Sequence, residues 1–284
     1  MTRAAASALT LSEEIRHRFE DFSRSQKDVG QYIVDHLDDA AFQTAEELAR
    51  RASTSSSTVV RFAQALGFEG FPELQAAARD EYRRARESTN GAIAELRAPP
   101  LFPIDQTDVE AALGADHTNL EDTARRIDRD EVRASVELIS RAERIVLCGT
   151  DQMAFFASYL RHLLMLLDLR CEVVASPSQE GLARLGRIDD RTLVIGFSAG
   201  RPHPLVVRAM KLARHRRAET IAIADATLSE VARLADQRLY YSSNGPGYVR
   251  SHTALLSLIQ ALAYGVYALD ESAYADRIKA FRLK

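Results

Sequence analysis

A run of small hydroxyl side chains near the front of the chain has the chemistry to contact nucleic acid. Ser55–Thr58 are four consecutive hydroxyl residues, and Arg61 and Gln64 follow them at helical spacing. At the N-terminus of a helix, backbone N–H groups can bind a phosphate and short side chains can reach base edges. Arginine can form two hydrogen bonds to guanine, and glutamine can form two to adenine. These residues fit a DNA major groove, but from spacing alone a capped, serine-rich helix start within a helical bundle fits equally well.

Two short helices joined by a tight turn must position these residues. Thr44 and Glu47 form a capping box, which predicts a first helix that ends near Ala52. A second helix is predicted to begin at about Ser55 and to stop at Gly67. The pattern predicts flanking helices over Gln26–Leu37 and over residues 71–86. This layout is that of a helix-turn-helix.

Composition and charge limit the class of protein. A chain of 284 residues, 46% hydrophobic and 27% charged with a net charge of −3, is typical of a globular protein of about two domains. Residues 1–90 hold 12 Lys and Arg against 15 Asp and Glu, so any DNA contact must come from a local arrangement. We find no signal peptide and no run of the roughly 20 apolar residues that a bilayer needs. Cys148 and Cys171 lie in apolar runs, and we expect them to be reduced in a cytoplasmic protein without a membrane partner.

The second half of the chain alternates short apolar runs with helical patterns. Strands are predicted over Arg144–Cys148, Arg170–Val174, Thr192–Phe197, Glu219–Ile223 and Gln237–Tyr241. Helices are predicted over Gln152–Leu167, Gln179–Leu185, Leu205–His215, Ser229–Leu234 and Thr253–Leu269. This alternation indicates a parallel five-stranded sheet covered by helices on both faces. We therefore predict an all-helical domain over residues 1–87, a linker with connecting helices over 88–142 and an α/β domain over 143–284.

Ligands of such sheets bind at the carboxyl ends of the strands. The segments there are Gly149–Gln152, Ser198–Arg201 and Ala224–Thr227, which combine glycine, hydroxyl groups and helix N-termini. Such groups suit a small anionic molecule, and Arg201 offers it a cation.

A hydrolase motif overlaps one of these segments. The sequence Gly196-Phe-Ser198-Ala-Gly200 matches the Gly-x-Ser-x-Gly nucleophile elbow, and Asp225 and His252 follow in hydrolase order. The elbow needs a helix to start directly after the serine. Pro202 biases Arg201 away from helical geometry, so we interpret the motif as a loop that enters a helix.

The helical segment and the predicted sheet together resemble the RpiR family of bacterial transcriptional regulators, in which an N-terminal helix-turn-helix precedes a sugar-isomerase (SIS) domain. The most specific match is Ser55-x-x-Thr58-Val-Val-Arg61-Phe62, followed by Leu66-Gly67-Phe68-x-Gly70-Phe71. Later, Leu228-Ser229-Glu-Val-Ala-Arg-Leu-Ala-Asp236 is similar to the family's Ser-Pro-Leu-Ala-x-x-Ala-Asp, and Ser251 falls where a serine opens the final helix. The family's first ligand loop is usually Gly-x-Gly-x-Ser, whereas this chain has Gly149-Thr-Asp-Gln-Met153.

The resemblance implies a ligand-responsive transcriptional regulator that binds a double-stranded DNA operator and a carbohydrate derivative such as a phosphosugar. We expect it to act as a homodimer or homotetramer, because two heads read two half-sites. The expected DNA-binding residues are Thr44, Arg50, Arg51, Ser55, Ser56, Ser57, Thr58, Arg61 and Gln64. The expected effector-binding residues are Thr150, Gln152, Ser198, Gly200, Arg201, Ser229, Ser251 and His252.

An SIS-type sugar-phosphate isomerase, or a hydrolase, with an accessory helical domain is the alternative function. His203, His252 and Glu180 are its candidate bases. The seven histidines form no His-x-x-x-His pair that would indicate a metal site. We expect no catalysis, no metal and no cofactor.

Overall fold

The computed structural model describes residues 9–89, 108–245 and 250–282. The chain divides into two compact units, residues 1–101 and 102–284, here called the head unit and the sheet unit. The proline-containing part of the predicted linker, with Pro99, Pro100 and Pro103, lies outside the described residues.

The head unit is helical throughout its described part. Its helices are α1 (Leu11–His17), α2 (Arg24–Asp35), α3 (Leu37–Ala40), α4 (Ala45–Arg51), α5 (Ser56–Ala65) and α6 (Phe71–Thr89), with one 3₁₀ turn at Phe19–Asp21. The helix predicted over Gln26–Leu37 ends instead at Asp35, because His36 leaves the helical region with φ −134° and ψ 53°.

The helices of the head unit enclose one apolar core. Its fully buried side chains include Ile15, Ile33, Leu48 and Phe62. Gly30 lets α2 approach α5 closely, since a Cβ there would lie 3.1 Å from both Ile15 Cγ2 and Phe62 Cζ. The core therefore fixes one face of α5 and leaves the opposite face to solvent.

The sheet unit is built on five parallel strands. They are β1 (Arg144–Cys148), β2 (Cys171–Val174), β3 (Thr192–Ser198), β4 (Glu219–Ala224) and β5 (Gln237–Tyr240). Their order in the sheet is β2-β1-β3-β4-β5. The helices are α7 (Asp108–Arg126), α8 (Arg129–Arg141), α9 (Gln152–Leu166), α10 (Gln179–Gly186), α11 (Pro204–His215), α12 (Glu230–Leu234), α13 (Thr253–Leu269) and α14 (Glu271–Arg282).

Alternate strand residues feed two separate cores. Ile145 and Leu147 of β1 pack with α8, α9 and α13 on one face of the sheet, whereas Val146 and Cys148 pack with α11 and α12 on the other. Burial on both faces explains the near-continuous apolar strands. The predicted fold class, a helical domain followed by a covered parallel sheet, is confirmed.

The predicted connecting helices belong to the sheet unit. Helices α7 and α8, predicted as connecting helices, pack against α13. Among the described residues no single helix is long and apolar enough to cross a membrane, and the pair Thr253–Leu269 and Glu271–Lys279 reaches that length and apolar character only jointly, across a bend of 109°.

Cys148 and Cys171 are both free thiols, and burial raises the pKa of each to about 12.

Candidate DNA-binding helix and effector site

The N-terminus of α5 is held by a network of hydroxyl groups. Ser55 is the N-cap, and its Oγ accepts a hydrogen bond from the Thr58 backbone N–H at 3.3 Å. The same Oγ lies 2.9 Å from Ser57 Oγ and 3.0 Å from Thr58 Oγ1. Thr58 is buried, so its hydroxyl contributes to the helix start and not to the exposed face.

The solvent-facing side of α5 carries most of the predicted DNA-binding residues. Its exposed members are Ser56, Ser57, Val60, Arg61 and Gln64, and the members that face the core are Val59, Phe62 and Ala63. The Arg61 side chain folds back along the helix, with Nε donating to the Ser57 carbonyl at 3.2 Å and Nη2 donating to Ser57 Oγ at 3.3 Å. Val60 was not predicted as a site residue, because its apolar side chain offers no hydrogen bond to a base or a phosphate.

Helix α4 precedes α5 and presents two exposed cations. The predicted capping box is present: the Thr44 N–H and hydroxyl each donate to Glu47 Oε2 at 2.8 Å. These bonds, the backbone one first, hold the pKa of Glu47 below its ordinary value. Arg50 and Arg51 in the last turn are both exposed. The turn to α5 closes through the Thr54 N–H, which donates to the Ala49 carbonyl at 2.8 Å.

A cavity of about 420 Å³ opens where the carboxyl ends of β1 and β3 meet. In the order β2-β1-β3-β4-β5 the strands β1 and β3 are neighbours, and the chain adds β2 on one side of β1 and β3 to β5 on the other. Ligands of doubly wound sheets bind at this change of direction. Four predicted effector residues line it, namely Thr150, Gln152, Ser198 and Arg201.

Two polar atoms beside this cavity are buried and unbonded within the described part of the chain. They are Ser198 Oγ and His252 Nδ1. The other ring nitrogen of His252, Nε2, lies 2.9 Å from Gln152 Oε1, so a neutral ring donates from Nε2 and leaves Nδ1 as an acceptor. Burial lowers the pKa of His252, which favours this neutral ring. Buried polar atoms without partners are rare, so each is expected to bond to a group that the chain does not supply, such as a water molecule, an ion or a ligand.

The loop after β3 is fixed by a buried carboxylate that the sequence reasoning did not single out for binding. Asp225 Oδ1 accepts from the Gly200 N–H at 2.7 Å, and Oδ2 accepts from Ser243 Oγ at 2.8 Å and from Arg250 Nη1 at 3.2 Å. Gly200 has φ +58°, a conformation that favours glycine. The guanidinium of Arg250 lies over it, with Nε 3.5 Å from the position of a Cβ. Arg250 therefore adds a second cation beside the loop that carries Arg201.

The two remaining predicted effector residues serve local structure. Ser229 Oγ accepts from the Ala232 N–H at 3.1 Å as the N-cap of α12. Ser251 Oγ donates to Asp116 of α7, which also accepts from Thr253 Oγ1 at 2.8 Å. Neither serine lines the cavity.

A buried amide of α7 binds the segment that follows β5. Asn119 is fully buried, its Nδ2 donates to the Asn244 carbonyl at 2.6 Å, and its Oδ1 accepts from Ser242 Oγ and the Asn244 N–H, both at 2.9 Å. Thr123 Oγ1, one turn further on, accepts from the Ser242 N–H at 2.9 Å. With Asp116, these residues attach one side of α7 to residues 242–244 and 251–253.

The first ligand loop replaces a family glycine by a strained aspartate. Asp151, which precedes α9, has φ +51° and ψ −125°, a region that is costly for any residue with a Cβ. Its exposed carboxylate lines the cavity. An incoming anion therefore meets both positive and negative charge at this site.

The loop after β3 does not have the geometry of a nucleophile elbow. Helix α11 begins at Pro204, six residues after Ser198, with His203 as its N-cap. Among the described residues, no group of three or more His, Cys, Asp and Glu side chains could hold a metal ion.

Comparisons with known proteins match both units. Residues 9–85 match the helix-turn-helix domain of the rpiR family, and residues 138–264 match the SIS domain. The sugar isomerase domain of an RpiR transcription factor from Sphaerobacter thermophilus is 25% identical and covers 63% of this chain and 100% of its own, with a TM-score of 0.60. The Vibrio vulnificus NanR protein complexed with ManNAc-6P is 22% identical and covers 96% of this chain and 97% of its own, with a TM-score of 0.57. A third structure, Escherichia coli CFT073 c3406 in complex with A5P, is 15% identical and covers 60% and 93% of the two chains, with a TM-score of 0.51; the last two show likeness of fold alone.

Proposed function

Because the chain belongs to the RpiR family of transcriptional regulators, we propose that its α5 enters the DNA major groove and that a small anion bound in the sheet unit changes operator binding. The observation that carries the proposal is the exposed face of α5, where hydroxyl, arginine and glutamine side chains follow a capped N-terminus. Such a face has the donors and acceptors that base edges and phosphates require. The protein is a ligand-responsive regulator, and the proposal concerns which residues perform each task.

The DNA contacts divide between the two helices. Ser56, Ser57, Arg61 and Gln64 on the exposed face of α5 contact bases and adjacent phosphates. Arg50 and Arg51 bind phosphate from the end of α4, because exposed cations next to a recognition helix position it on the backbone. Thr44 and Ser55 support these contacts as helix N-caps, and Thr58 supports them through its hydrogen bonds with Ser55.

The effector is a phosphosugar or a similar carbohydrate-derived anion. Ser198 Oγ, buried and unbonded among the described residues, provides a hydroxyl for it, and His252 Nδ1 provides an acceptor for a sugar hydroxyl. Arg201 and Arg250 supply positive charge for the anionic group of the ligand. The carboxylate of Asp151 repels a second anionic group, so it selects against ligands that are anionic at both ends. The ManNAc-6P bound to the Vibrio NanR protein supports this ligand class.

Regulation passes through the segment that contacts both the site and α7. Arg250 and His252 flank Ser251, which Asp116 attaches to α7, and α7 is the first described helix after the linker to the head unit. A ligand that favours one position of this segment would change how the heads are presented. We infer a cytoplasmic homodimer or homotetramer, because paired heads bind paired half-sites.

We propose that the protein acts without enzymatic turnover. Two of the candidate bases are engaged in local structure: His203 Nδ1 accepts from the Leu205 N–H at the start of α11, and Glu180 pairs with Arg184. The third, His252, contacts Gln152 through Nε2, and its Nδ1 is assigned here to a sugar hydroxyl. Helix α11 begins at Pro204 and not directly after Ser198, which disfavours the hydrolase alternative. A sugar-phosphate isomerase remains the competing function because SIS domains also occur in isomerases.

The test uses the full chain. An operator is selected from a pool of random DNA duplexes, and its affinity is measured with and without each member of a phosphosugar panel. We expect an enriched sequence and at least one phosphosugar that both raises the melting temperature and changes operator affinity. Isomerisation of a panel sugar without any enriched sequence would instead establish the enzyme.

A further inference from the structure

We propose that Val60 recognises the C5 methyl group of a thymine in the operator major groove. This inference rests on the proposed function, in which α5 lies in that groove. It gives Val60 a role in sequence specificity, although the side chain of Val60 cannot form hydrogen bonds with bases.

The position of Val60 on α5 places it inside the groove-facing surface. Successive residues of an α-helix are about 100° apart around the axis. The exposed residues of α5 then span an arc of about 140°, from Ser56 at one edge to Arg61 at the other. Val60 lies about 30° from the middle of this arc, closer than either edge residue. A helix that presents this arc to DNA therefore presents Val60 as well.

Packing within the head unit leaves part of this valine uncovered. Its neighbour Val59 is fully buried, whereas Val60, about 100° further around the helix, is 36% exposed. Valine is a poorer helix former than alanine, lysine or glutamate, so a solvent-facing helix position gains nothing from it. Four residues away on either side stand Ser56 and Gln64, both polar and exposed. Val60 is thus a single apolar spot in an otherwise hydrogen-bonding surface.

The major groove offers one apolar group that matches such a spot. Among the base edges, guanine, cytosine and adenine present hydrogen-bonding atoms, and thymine adds its C5 methyl group. Valine has no donor or acceptor in its side chain, so it can distinguish bases only by apolar contact. Val60 follows the helix tip by one turn, where the side chains of a recognition helix reach base edges.

The test replaces thymine by uracil, which removes the methyl group and leaves the base pair unchanged. Each thymine of the operator selected by the wild-type chain is replaced in turn, and the dissociation constant is measured at one salt concentration. We expect uracil to weaken binding about fourfold at one position of each half-site, the effect of removing one buried methyl group. In Val60→Ala the same replacement should weaken binding less, because the variant lacks the two γ-methyl groups and keeps only the β-carbon as an apolar contact.

Gln64→Ala is the matched control, since it changes the neighbouring face of α5 and keeps Val60. The uracil penalty should persist in this variant, and the melting temperature of both variants should equal that of the wild type. An undiminished uracil penalty in Val60→Ala, no penalty at any position, or a half-site without thymine overturns the inference while DNA binding stands. If the wild-type chain enriches no sequence, the proposed function itself fails at that earlier step, and the inference fails with it.

Discussion

Replacing Arg61 by alanine tests whether this arginine contacts DNA bases or only stabilises its own helix. In the free protein Arg61 is exposed, and its two hydrogen bonds to Ser57, at 3.2 and 3.3 Å, lie on its own helix. They are longer than the usual 2.9–3.0 Å and face solvent, so their loss costs little. Alanine is also slightly the better helix former. We expect the free energy of unfolding to change by less than about 0.5 kcal/mol.

The effect on DNA binding should be far larger. A bidentate contact from arginine to guanine contributes about 1–3 kcal/mol of discrimination, which corresponds to roughly 5–150-fold in affinity. Because Arg61 must first leave Ser57, we expect a value in the lower half of that range. The assay is an anisotropy titration of the selected operator and of a scrambled duplex, beside a thermal melt of each variant.

Arg83→Ala is the control for loss of charge. Arg83 lies on α6, is exposed, and within the described part of the chain pairs with Asp80 at 3.5 Å, three residues earlier on the same helix. This variant should weaken operator and scrambled DNA equally, if at all, whereas Arg61→Ala should weaken the operator selectively. An Arg61→Ala protein that binds the operator as tightly as the wild type, or loses the same factor on both duplexes, would refute the base contact.

Three further predictions concern the sheet unit. Ser198→Ala should abolish the melting-temperature shift caused by a phosphosugar. It should leave the free energy of unfolding unchanged or up to about 1 kcal/mol higher, because it deletes a hydroxyl that is buried and unbonded among the described residues. A clearly lower melting temperature of the variant would contradict this. Asp151→Gly should raise the free energy of unfolding by about 1 kcal/mol in a denaturant titration by relieving the strained backbone, whereas Asp151→Ala, which keeps a Cβ, should not. Burial holds the pKa of His252 below its ordinary 6.5, so the unfolded chain binds more protons just below that pH, and stability should fall as the pH drops from about 6.5 toward the folded pKa. His252→Asn should flatten this decline in melts between about pH 5 and 8, and equal slopes in the two proteins would show that another group titrates.

Local signals made most of the fold predictable. The capping box at Thr44, the hydroxyl cap at Ser55 and the apolar run of β1 are each decided by residues within one turn or one strand, and the structure has them where the sequence indicated. The end of α2 at Asp35 was not predictable from periodicity, because Leu37 continues the apolar spacing although the backbone changes direction at His36.

The candidate site was predictable only in part, because its long-range contacts leave no local signal. Asp225 and Arg250 are 25 residues apart and meet only when the segment after β5 lies beside the end of β4. Ser229 and Ser251 show the converse: their positions fit the ligand loops of the family, but their hydroxyls bond to the chain itself. Topology gives the end of the sheet at which a site lies, and side-chain partners decide which residues remain available to a ligand.

The burial of Asn119 has a consequence for how the protein is made. This side chain lies in the first described helix of the sheet unit, yet two of its hydrogen bonds are with Asn244, 125 positions later in the chain. At about 5–20 residues per second, the ribosome needs roughly 6–25 s to deliver those partners. During that interval, docking of α7 would bury the Asn119 amide without its hydrogen-bond partners, which costs free energy. We therefore expect α7 to stay undocked while the head unit, whose residues have all been synthesised, folds on the nascent chain. Synthesis therefore produces a folded head before the domain that regulates it is assembled.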